Sequence, residues 1–306
     1  MAGPAYDDRD GKIWFDGEMV DWRDAKVHLL THALHYGSGV FEGVRMYSGE
    51  IFKLREHSVR LIKSAEMMGF EIPYSVEEID QACIDACAIN NITDGYLRPI
   101  AWRGSEMMGV AAQTNTIHFA VAAWEWPSYF SAEARTQGIS LKTSKWRRPA
   151  PETAPVHAKA CGLYMIATLS KHDAEASGYT DALLLDWRGQ IAEATGANIF
   201  MEMGDGKLHT PIPDCFLDGI TRRTVIDLAR ARGIDVVERV ILPEELANAT
   251  QVFLTGTAAE VTPVGKIDDY TFPVGDITKQ LMDDYEKAVG KAPANVKLNR
   301  DGAAAE

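Results

Sequence analysis

In the first third of the chain, short apolar stretches alternate with tight-turn signals. Asp16-Gly17 follows the apolar stretch 12–15, and Ser48-Gly49 precedes the stretch 50–52. Residue pairs of this kind are typical of two-residue hairpin turns. Residues 116–122 have the pattern of a half-buried strand. The pattern therefore predicts a sheet in which neighbouring strands pair.

Helices are predicted between these strands. Apolar residues recur at helical spacing through 55–70. Ser75 and Glu78 have the spacing of a capping box, so a second helix is expected to follow Ser75 and to run to about Ile89. The first part of the chain is thus predicted to mix strands and helices.

The second part predicts another meander of strands and at least two helices. The basic stretch 145–149 is interpreted as a solvated loop, and a helix rich in small residues is expected to begin near Lys159. Strands are predicted over 183–185 and 198–201, each followed by a turn signal. A helix from Arg222 should end at Gly233, because glycine commonly follows a helix C-terminus.

The strand pattern breaks at Pro127, and the domain boundary is placed there. The prediction is a small N-terminal α/β domain over 1–125, an interdomain loop over 126–137 and a larger domain over 138–306 with a flexible tail.

Composition narrows the possible partners. The formal net charge of −13 over 306 residues disfavours nucleic acid and anionic membranes, since either needs a clustered basic face. A small-molecule ligand fits better. No stretch reaches the roughly 20 apolar residues of a membrane span, and a cytoplasmic location is expected. The four cysteines form no CxxC pair, so neither a disulfide nor a metal site is predicted.

Several common motifs are missing. The glycine-rich stretch 36–43 departs from the dinucleotide-binding fingerprint, and there is no P-loop, GxSxG or HExxH sequence. His32 and His35 are close together in an apolar run, which favours packed core or interface histidines over metal ligands.

Lys159 is surrounded by small and apolar residues in 155–164. Such a setting would remove water from the amine, lower its pKa and favour a Schiff base with an aldehyde cofactor. For this segment alone, a lysine whose amine reaches solvent from a helix is the better explanation.

Other segments change that balance. Glu193 enters a predicted strand, where a buried carboxylate needs a cation such as a protonated pyridine nitrogen. Residues 217–223 form a turn that leads into a helix, so their backbone N–H groups would favour a phosphate. Residues 255–258 offer further amides after a strand.

Together these segments resemble the branched-chain amino-acid aminotransferases of class IV. The resemblance runs from about Ile13 to Pro263 and is carried by 35–45, 155–164, Glu193 with Asn198, 217–222 and 256–260. It implies a two-domain α+β, α/β architecture of the D-alanine-aminotransferase-like type, fold type IV. Pyridoxal 5'-phosphate would be bound at the domain interface.

The resemblance implies a role for each cofactor-binding residue. Lys159 would be the catalytic residue that binds the cofactor covalently. Tyr164 would contact the phenolic oxygen, Glu193 the ring nitrogen and Leu217 the ring face. The phosphate would be bound by Arg60, Ile220, Thr221 and Thr257.

It also implies the substrate-binding residues. Arg98 would receive the distal carboxylate of glutamate, and Tyr96 would help to hold the α-carboxylate. The implied set is Tyr36, Phe41, Arg45, Tyr96, Arg98, Val110, Trp126, Tyr129 and Ala258. Tyr36 and Val110 would reach the pocket of a neighbouring subunit, so a homodimer at least is expected.

The implied reaction transfers the amino group of leucine, isoleucine or valine to 2-oxoglutarate by a ping-pong route. The alternatives are an aminodeoxychorismate lyase, a D-amino-acid or (R)-amine aminotransferase of the same fold, and a catalytically silent scaffold protein.

Overall fold

Two β-sheets organise the chain in the computed structural model, which describes residues 5–126 and 132–290. The first sheet contains β1 (Lys12–Phe15), β2 (Glu18–Asp21), β3 (Gly39–Phe41), β4 (Val44–Tyr47), β5 (Glu50–Ile51), β6 (Gly95–Arg103) and β7 (Ile117–Glu125). The second contains β8 (Ile139–Arg148), β9 (Asp181–Asp186), β10 (Ile191–Ala194), β11 (Asn198–Glu202), β12 (Leu208–Pro211), β13 (Val236–Arg239), β14 (Gln251–Gly256), β15 (Glu260–Ile267) and β16 (Tyr270–Thr271).

The helices lie between and around these strands. The α-helices are α1 (His32–Tyr36), α2 (Leu54–Met67), α3 (Val76–Ile89), α4 (Ala132–Gln137), α5 (Tyr164–Ala176), α6 (Ile220–Ala231) and α7 (Asp276–Ala288). Short 3-10 helices cover Trp22–Asp24, Cys161–Leu163 and Pro243–Asn248. Within the described ranges, no helix is long and apolar enough to cross a membrane.

The first sheet is antiparallel, in the order β2-β1-β7-β6-β4-β5, and β3 also pairs with β6. Its core contains Leu97 and Phe119 from the strands together with Leu61 from α2 and Ile79 from α3. Both predicted hairpin turns are confirmed, since Asp16-Gly17 joins β1 to β2 and Ser48-Gly49 joins β4 to β5.

In the second sheet the order is β10-β9-β8-β15-β14-β11-β12-β13, with an additional pairing of β10 with β11. That pairing closes six strands into a ring, and its register sets Glu193 opposite Asn198. Successive side chains of a strand point to opposite faces of the sheet, and here they point alternately into and out of the ring. Ile199 packs inside the ring, whereas its neighbour Phe200 packs outside against Val225 of α6.

The first-sheet strands lie within 12–125 and the second-sheet strands within 139–271. The domain limits themselves stay a prediction. Part of the expected interdomain loop, including Tyr129, lies outside the described residues.

The prediction that a helix begins near Lys159 is wrong. Helix α5 begins at Tyr164, after the 3-10 helix Cys161–Leu163, and Lys159 itself is not helical but lies beside a bridge between Ala160 and Val40 of β3. The small residues of this segment let it approach β3, a long-range pairing that local periodicity does not reveal.

The capping box of α3 is confirmed and yields a stability prediction. Glu78 N donates to Ser75 Oγ at 3.2 Å, and Ser75 N donates to Glu78 Oε2 at 2.7 Å. Ser75→Ala should lower the free energy of unfolding by about 1 kcal/mol, because one N–H at the helix start loses its acceptor. Urea unfolding followed by circular dichroism measures this. Glu78→Gln, which retains an acceptor, should cost less, and equal losses would contradict the explanation.

Candidate active site

The backbone of Lys159 is bonded on both sides to the first part of the chain. Phe41 N of β3 donates to Lys159 O at 3.1 Å, and Lys159 N donates to Ser64 Oγ of α2 at 3.0 Å. Ser64 is fully buried. The lysine is therefore held where the two parts of the chain meet.

The amine of Lys159 lies among aromatic groups. Its Nζ donates to the hydroxyl of Tyr164 at 2.7 Å, and it lies 4.9 Å from the ring centre of Phe41. Tyr164 is the first residue of α5, and its ring packs at a steep angle against Phe41. Lysine, a phenol and an apolar wall thus converge at one point.

Glu193 of β10 also faces this point and is close to a cation. Arg148 Nε lies 3.3 Å from Glu193 Oε1, and Asn198 Nδ2 donates to Glu193 Oε2 at 3.4 Å. Burial raises the pKa of Glu193 to about 7, although Arg148 and Lys159 oppose the rise. The carboxyl group is thus poised to change its protonation state near neutral pH.

Arg148 was missed in the sequence analysis, and the interpretation of 145–149 as a solvated loop is wrong. Strand β8 extends to Arg148, whose side chain is buried, while Lys145, Trp146 and Arg147 are exposed. A charge run would normally be solvated. The buried carboxylate of Glu193, about which the local sequence says nothing, explains the exception.

Asn198 shapes the turn before α6. Its Nδ2 donates to Leu217 O at 3.0 Å, and its Oδ1 accepts from Gly219 N at 3.2 Å. A Cβ at Gly219 would stand 2.3 Å from Asn198 Oδ1, so only glycine fits. Ile220 and Thr221 begin the helix, two residues before the predicted start at Arg222, and their free N–H groups suit an anion.

Arg60 of α2 is fixed by a carboxylate that sequence reasoning did not identify. Glu42, fully buried, accepts from Arg60 Nε at 2.7 Å and from Nη2 at 2.8 Å, and it also bonds His57 at 2.7 Å. Although burial alone would raise it, Arg60 and His57 lower the pKa of Glu42 below its usual value. Burial lowers the pKa of His57. The carboxylate therefore stays charged and orients Arg60.

One cavity brings together every residue predicted to bind the cofactor. Its walls include Arg60, Lys159, Tyr164, Glu193, Leu217, Ile220, Thr221 and Thr257. Arg60 Nη1 is buried and has no hydrogen-bond partner among the described residues. The amine fits the aldehyde of pyridoxal phosphate, and the buried carboxylate fits its ring nitrogen. The hydrogen-bond donors fit its phosphate.

A second cavity of about 280 Å³ adjoins the first and shares Lys159 and Tyr164 with it. Five of the predicted substrate-binding residues line it: Phe41, Tyr96, Arg98, Trp126 and Ala258. Aromatic side chains, those of Phe41, Tyr96, Trp126 and Tyr164, form part of its wall. The ring of Trp126 lies 4.5 Å from that of Tyr96, centre to centre.

Arg98 is the guanidinium of this second cavity. Its Nη2 donates to Tyr96 Oη at 3.3 Å, and its Cζ lies 4.8 Å above the ring of Phe41. Gly43 leaves room for the Tyr96 hydroxyl, since a Cβ there would stand 1.8 Å from that oxygen. The cavity thus offers one guanidinium, that of Arg98, in addition to the amine of Lys159.

The remaining predicted substrate residues lie elsewhere. Arg45 is buried beside Tyr47, with its Cζ 5.0 Å from the ring centre, and it lines neither cavity. Tyr36 and Val110 are exposed, Val110 by 85%. Tyr129 lies outside the described residues.

One cluster within the described residues has the chemistry of a metal site: Asp186, Asp214 and Cys215. Arg188 Nη2 lies 2.6 Å from Asp186 Oδ2 and 2.7 Å from Asp214 Oδ2, so both carboxylates already have a cation.

Comparison with known proteins agrees with this geometry. Residues 39–267 match the family model of class IV aminotransferases. The branched-chain-amino-acid aminotransferase of Pseudomonas aeruginosa is 42% identical over 298 residues, which are 95% of this chain and 97% of that protein.

Solved structures are similar over nearly the whole chain. The branched-chain amino acid aminotransferase of Escherichia coli superposes with a TM-score of 0.89 at 40% identity, covering 94% of this chain and 97% of that one. The holo-form of the branched-chain amino acid aminotransferase of Thermobaculum terrenum, which contains pyridoxal phosphate, gives 0.84 at 33% identity, covering 92% and 95%. The predicted fold type IV architecture is confirmed. The chain belongs to the class IV aminotransferases, which depend on pyridoxal phosphate.

Proposed function

We propose that this protein transfers the amino group of L-leucine, L-isoleucine or L-valine to 2-oxoglutarate by a ping-pong route. The observation that carries the proposal is the position of Lys159, whose amine belongs to both cavities. One cavity has the groups that suit the cofactor, and the other has aromatic walls with a single guanidinium, Arg98. The relatives compared above carry the same substrate class in their names.

Each residue around the cofactor has a distinct task in this proposal. The bound cofactor supplies an electron sink for the carbon that loses its proton. Lys159 Nζ moves that proton, because a lysine amine at this junction can reach both cavities. Tyr164 orients the amine through their 2.7 Å contact. The carboxylate of Glu193 would hold a proton on the ring nitrogen, and Leu217 would pack against the ring.

The phosphate is assigned to the donors at one end of the first cavity. Arg60 donates two hydrogen bonds, from Nε and Nη2, to Glu42, which leaves Nη1 available for the phosphate. The amides of Ile220 and Thr221 add the positive end of α6, and Thr257 adds a further donor. Together they provide charge-assisted hydrogen bonds to a dianion.

Two kinds of substrate must use the second cavity in turn. Phe41, Tyr96 and Trp126 provide walls that suit a branched aliphatic side chain. Arg98 would pair with the distal carboxylate of 2-oxoglutarate, and Tyr96 with Ala258 would hold the α-carboxylate. This use of Arg98 favours amino transfer over the elimination reaction of a lyase.

A homodimer is part of the proposal. Leu29, Leu34, Tyr36, Met108 and Val110 are exposed, and apolar residues of this kind, carried on neighbouring segments, suit burial against a second copy. Tyr36 and Val110 would then reach the neighbouring subunit's substrate cavity. Arg45, the strand partner of Tyr96 between β4 and β6, would support Tyr96. We place the enzyme in the cytoplasm, consistent with four free cysteines.

Lys159→Ala should reduce transamination of leucine by roughly 10³-fold or more, because the covalent tether and the proton carrier are lost together. Steady-state assays measure this loss, and circular dichroism verifies that the variant is folded. Lys145→Ala, which removes an exposed lysine of β8, should behave as wild type. Near-normal turnover by folded Lys159→Ala would refute the proposed role.

Arg98→Met should raise the apparent KM for 2-oxoglutarate by roughly 10-fold or more, since a carboxylate loses its guanidinium partner in a partly dry site. Methionine retains much of the packing against Phe41. Leucine has no distal carboxylate, so its half-reaction should change much less. Single-turnover spectra with leucine and with glutamate measure the two effects separately. Equal damage with both donors would show that Arg98 serves only the framework.

Cofactor affinity should fall as the pH decreases through about 7, because the raised pKa of Glu193 leaves the empty site protonated below that value. Only the carboxylate can pair with a protonated ring nitrogen. Arg148→Met removes the nearby cation, so the pKa of Glu193 and the midpoint should both rise. Titrations of pyridoxal phosphate at several pH values measure the midpoint, with Glu193→Gln as the control that lacks this step. An unchanged midpoint in Arg148→Met would contradict the assignment.

A further inference from the structure

We propose that His32 is a positioning residue that holds Tyr36 and Val110 in the arrangement that completes the substrate cavity of the neighbouring subunit. The inference rests on the dimer of the proposed function and adds a residue that makes no contact with substrate. It starts from a histidine that neither the cofactor cavity nor the substrate cavity uses.

His32 joins two separate segments. It is the first residue of α1, and only 4% of its surface is exposed. Its Nδ1 lies 2.6 Å from Ser38 Oγ, and its Nε2 lies 3.0 Å from Gly109 O. The imidazole therefore links the segment that carries Tyr36 with the loop that carries Val110.

The direction of both hydrogen bonds follows from the partners. A backbone carbonyl can only accept, so Nε2 donates to Gly109 O. In the neutral ring, Nδ1 then accepts from the hydroxyl of Ser38, which can rotate to donate. Both ring nitrogens are thus satisfied without a charge on the buried side chain.

Tyr36 adds a second link between the same segments. Its ring stacks on His32 with centroids 4.5 Å apart and an interplanar angle of 26°. Its hydroxyl donates to Met108 O at 3.3 Å. The carbonyls of Met108 and Gly109 are therefore both held from α1, directly before Val110.

Both of the residues that this arrangement presents are exposed at the surface of their own chain. Tyr36 is 46% exposed and Val110 is 85% exposed. A valine so exposed makes few contacts that could hold it in place, so its position depends on the residue before it. The histidine contact to Gly109 supplies that support.

Loss of the contact should lower the fraction of molecules in which the loop is correctly placed. The apparent KM rises by the inverse of that fraction. Loss of both hydrogen bonds of His32, one of which satisfies the buried Ser38 hydroxyl, shifts such an equilibrium by roughly 5- to 30-fold. The cofactor cavity contains neither segment and should be unaffected.

His32→Phe is the primary variant, because phenylalanine can retain the stack on Tyr36 while losing both hydrogen bonds. We expect KM for leucine and for 2-oxoglutarate to rise roughly 5- to 30-fold, kcat to change less, and the dissociation constant of pyridoxal phosphate to stay within about twofold. His32→Gln, with one donor and one acceptor, should recover part of the loss. His35→Gln is the matched control, since within residues 5–126 and 132–290 the side chain of His35 bonds Leu29 O of its own segment.

Mixed dimers test whether the effect acts on the partner. When a His32→Phe chain is paired with a Lys159→Ala chain, the working lysine receives Tyr36 and Val110 from a chain with intact His32, so KM should be normal. When a wild-type chain is paired with a chain that carries both substitutions, the working lysine receives them from the altered chain. KM should then be raised.

Three results would overturn the inference: an unchanged KM in His32→Phe, a raised KM confined to the first mixed dimer, and equal KM values in both. None of these results contradicts the proposed function. The proposed function is contradicted if the wild-type enzyme does not transaminate leucine. If His32→Phe gives no folded dimer, Ser38→Ala takes the place of His32→Phe in both mixed dimers. This substitution removes one of the two hydrogen bonds of His32. A smaller rise of about 2- to 5-fold is then expected in the second mixed dimer alone.

Discussion

The two hydrogen bonds on the backbone of Lys159 are the contacts on which the rest of the site depends. One comes from β3 and the other goes to Ser64 of α2, so a residue from the second part of the chain is held by the first. Because these are backbone contacts, the side chain remains free for chemistry. Both cavities meet at its amine, and each sheet contributes walls to one or both of them. A lysine on a regular helix could not receive these contacts, since its N–H and C=O would already be used within the helix.

Buried charge imposes a second condition. Arg60 with Glu42, and Glu193 with Arg148, remove cations and carboxylates from water, and each charge is compensated by a partner within hydrogen-bonding or ion-pair distance. Such pairs add little net stability, but removal of one member destabilises the fold because the other charge is left buried without a partner. Their value here is orientation. Arg60 faces the cofactor cavity with one unused donor, and Glu193 faces it with a carboxyl group that titrates near neutrality. The same fold thus prepares groups for the phosphate and for the ring nitrogen.

What the sequence could predict follows from the range of the interactions. The capping box of Ser75 and the hairpin at Asp16-Gly17 depend on neighbours a few residues away, and both were predicted correctly. The residues predicted for the cofactor came from a family resemblance and converge on one cavity. Arg148 and Glu42 were missed because their partners lie far along the chain, so a basic run looked solvated and a motif glutamate had no evident role. The error at Lys159 has the same origin, because small residues that allow close approach to β3 also favour a helix.

The central claim is that Lys159 carries pyridoxal phosphate and that leucine donates its amino group through it. The most direct test is the absorbance spectrum of the purified enzyme before and after L-leucine is added without any 2-oxo acid. We predict a visible band from the lysine-bound cofactor, its loss on addition of leucine with the appearance of the near-ultraviolet band of pyridoxamine phosphate, and its return when 2-oxoglutarate is added. A visible band that leucine leaves unchanged, or the absence of any such band in enzyme supplied with the cofactor, would contradict the account.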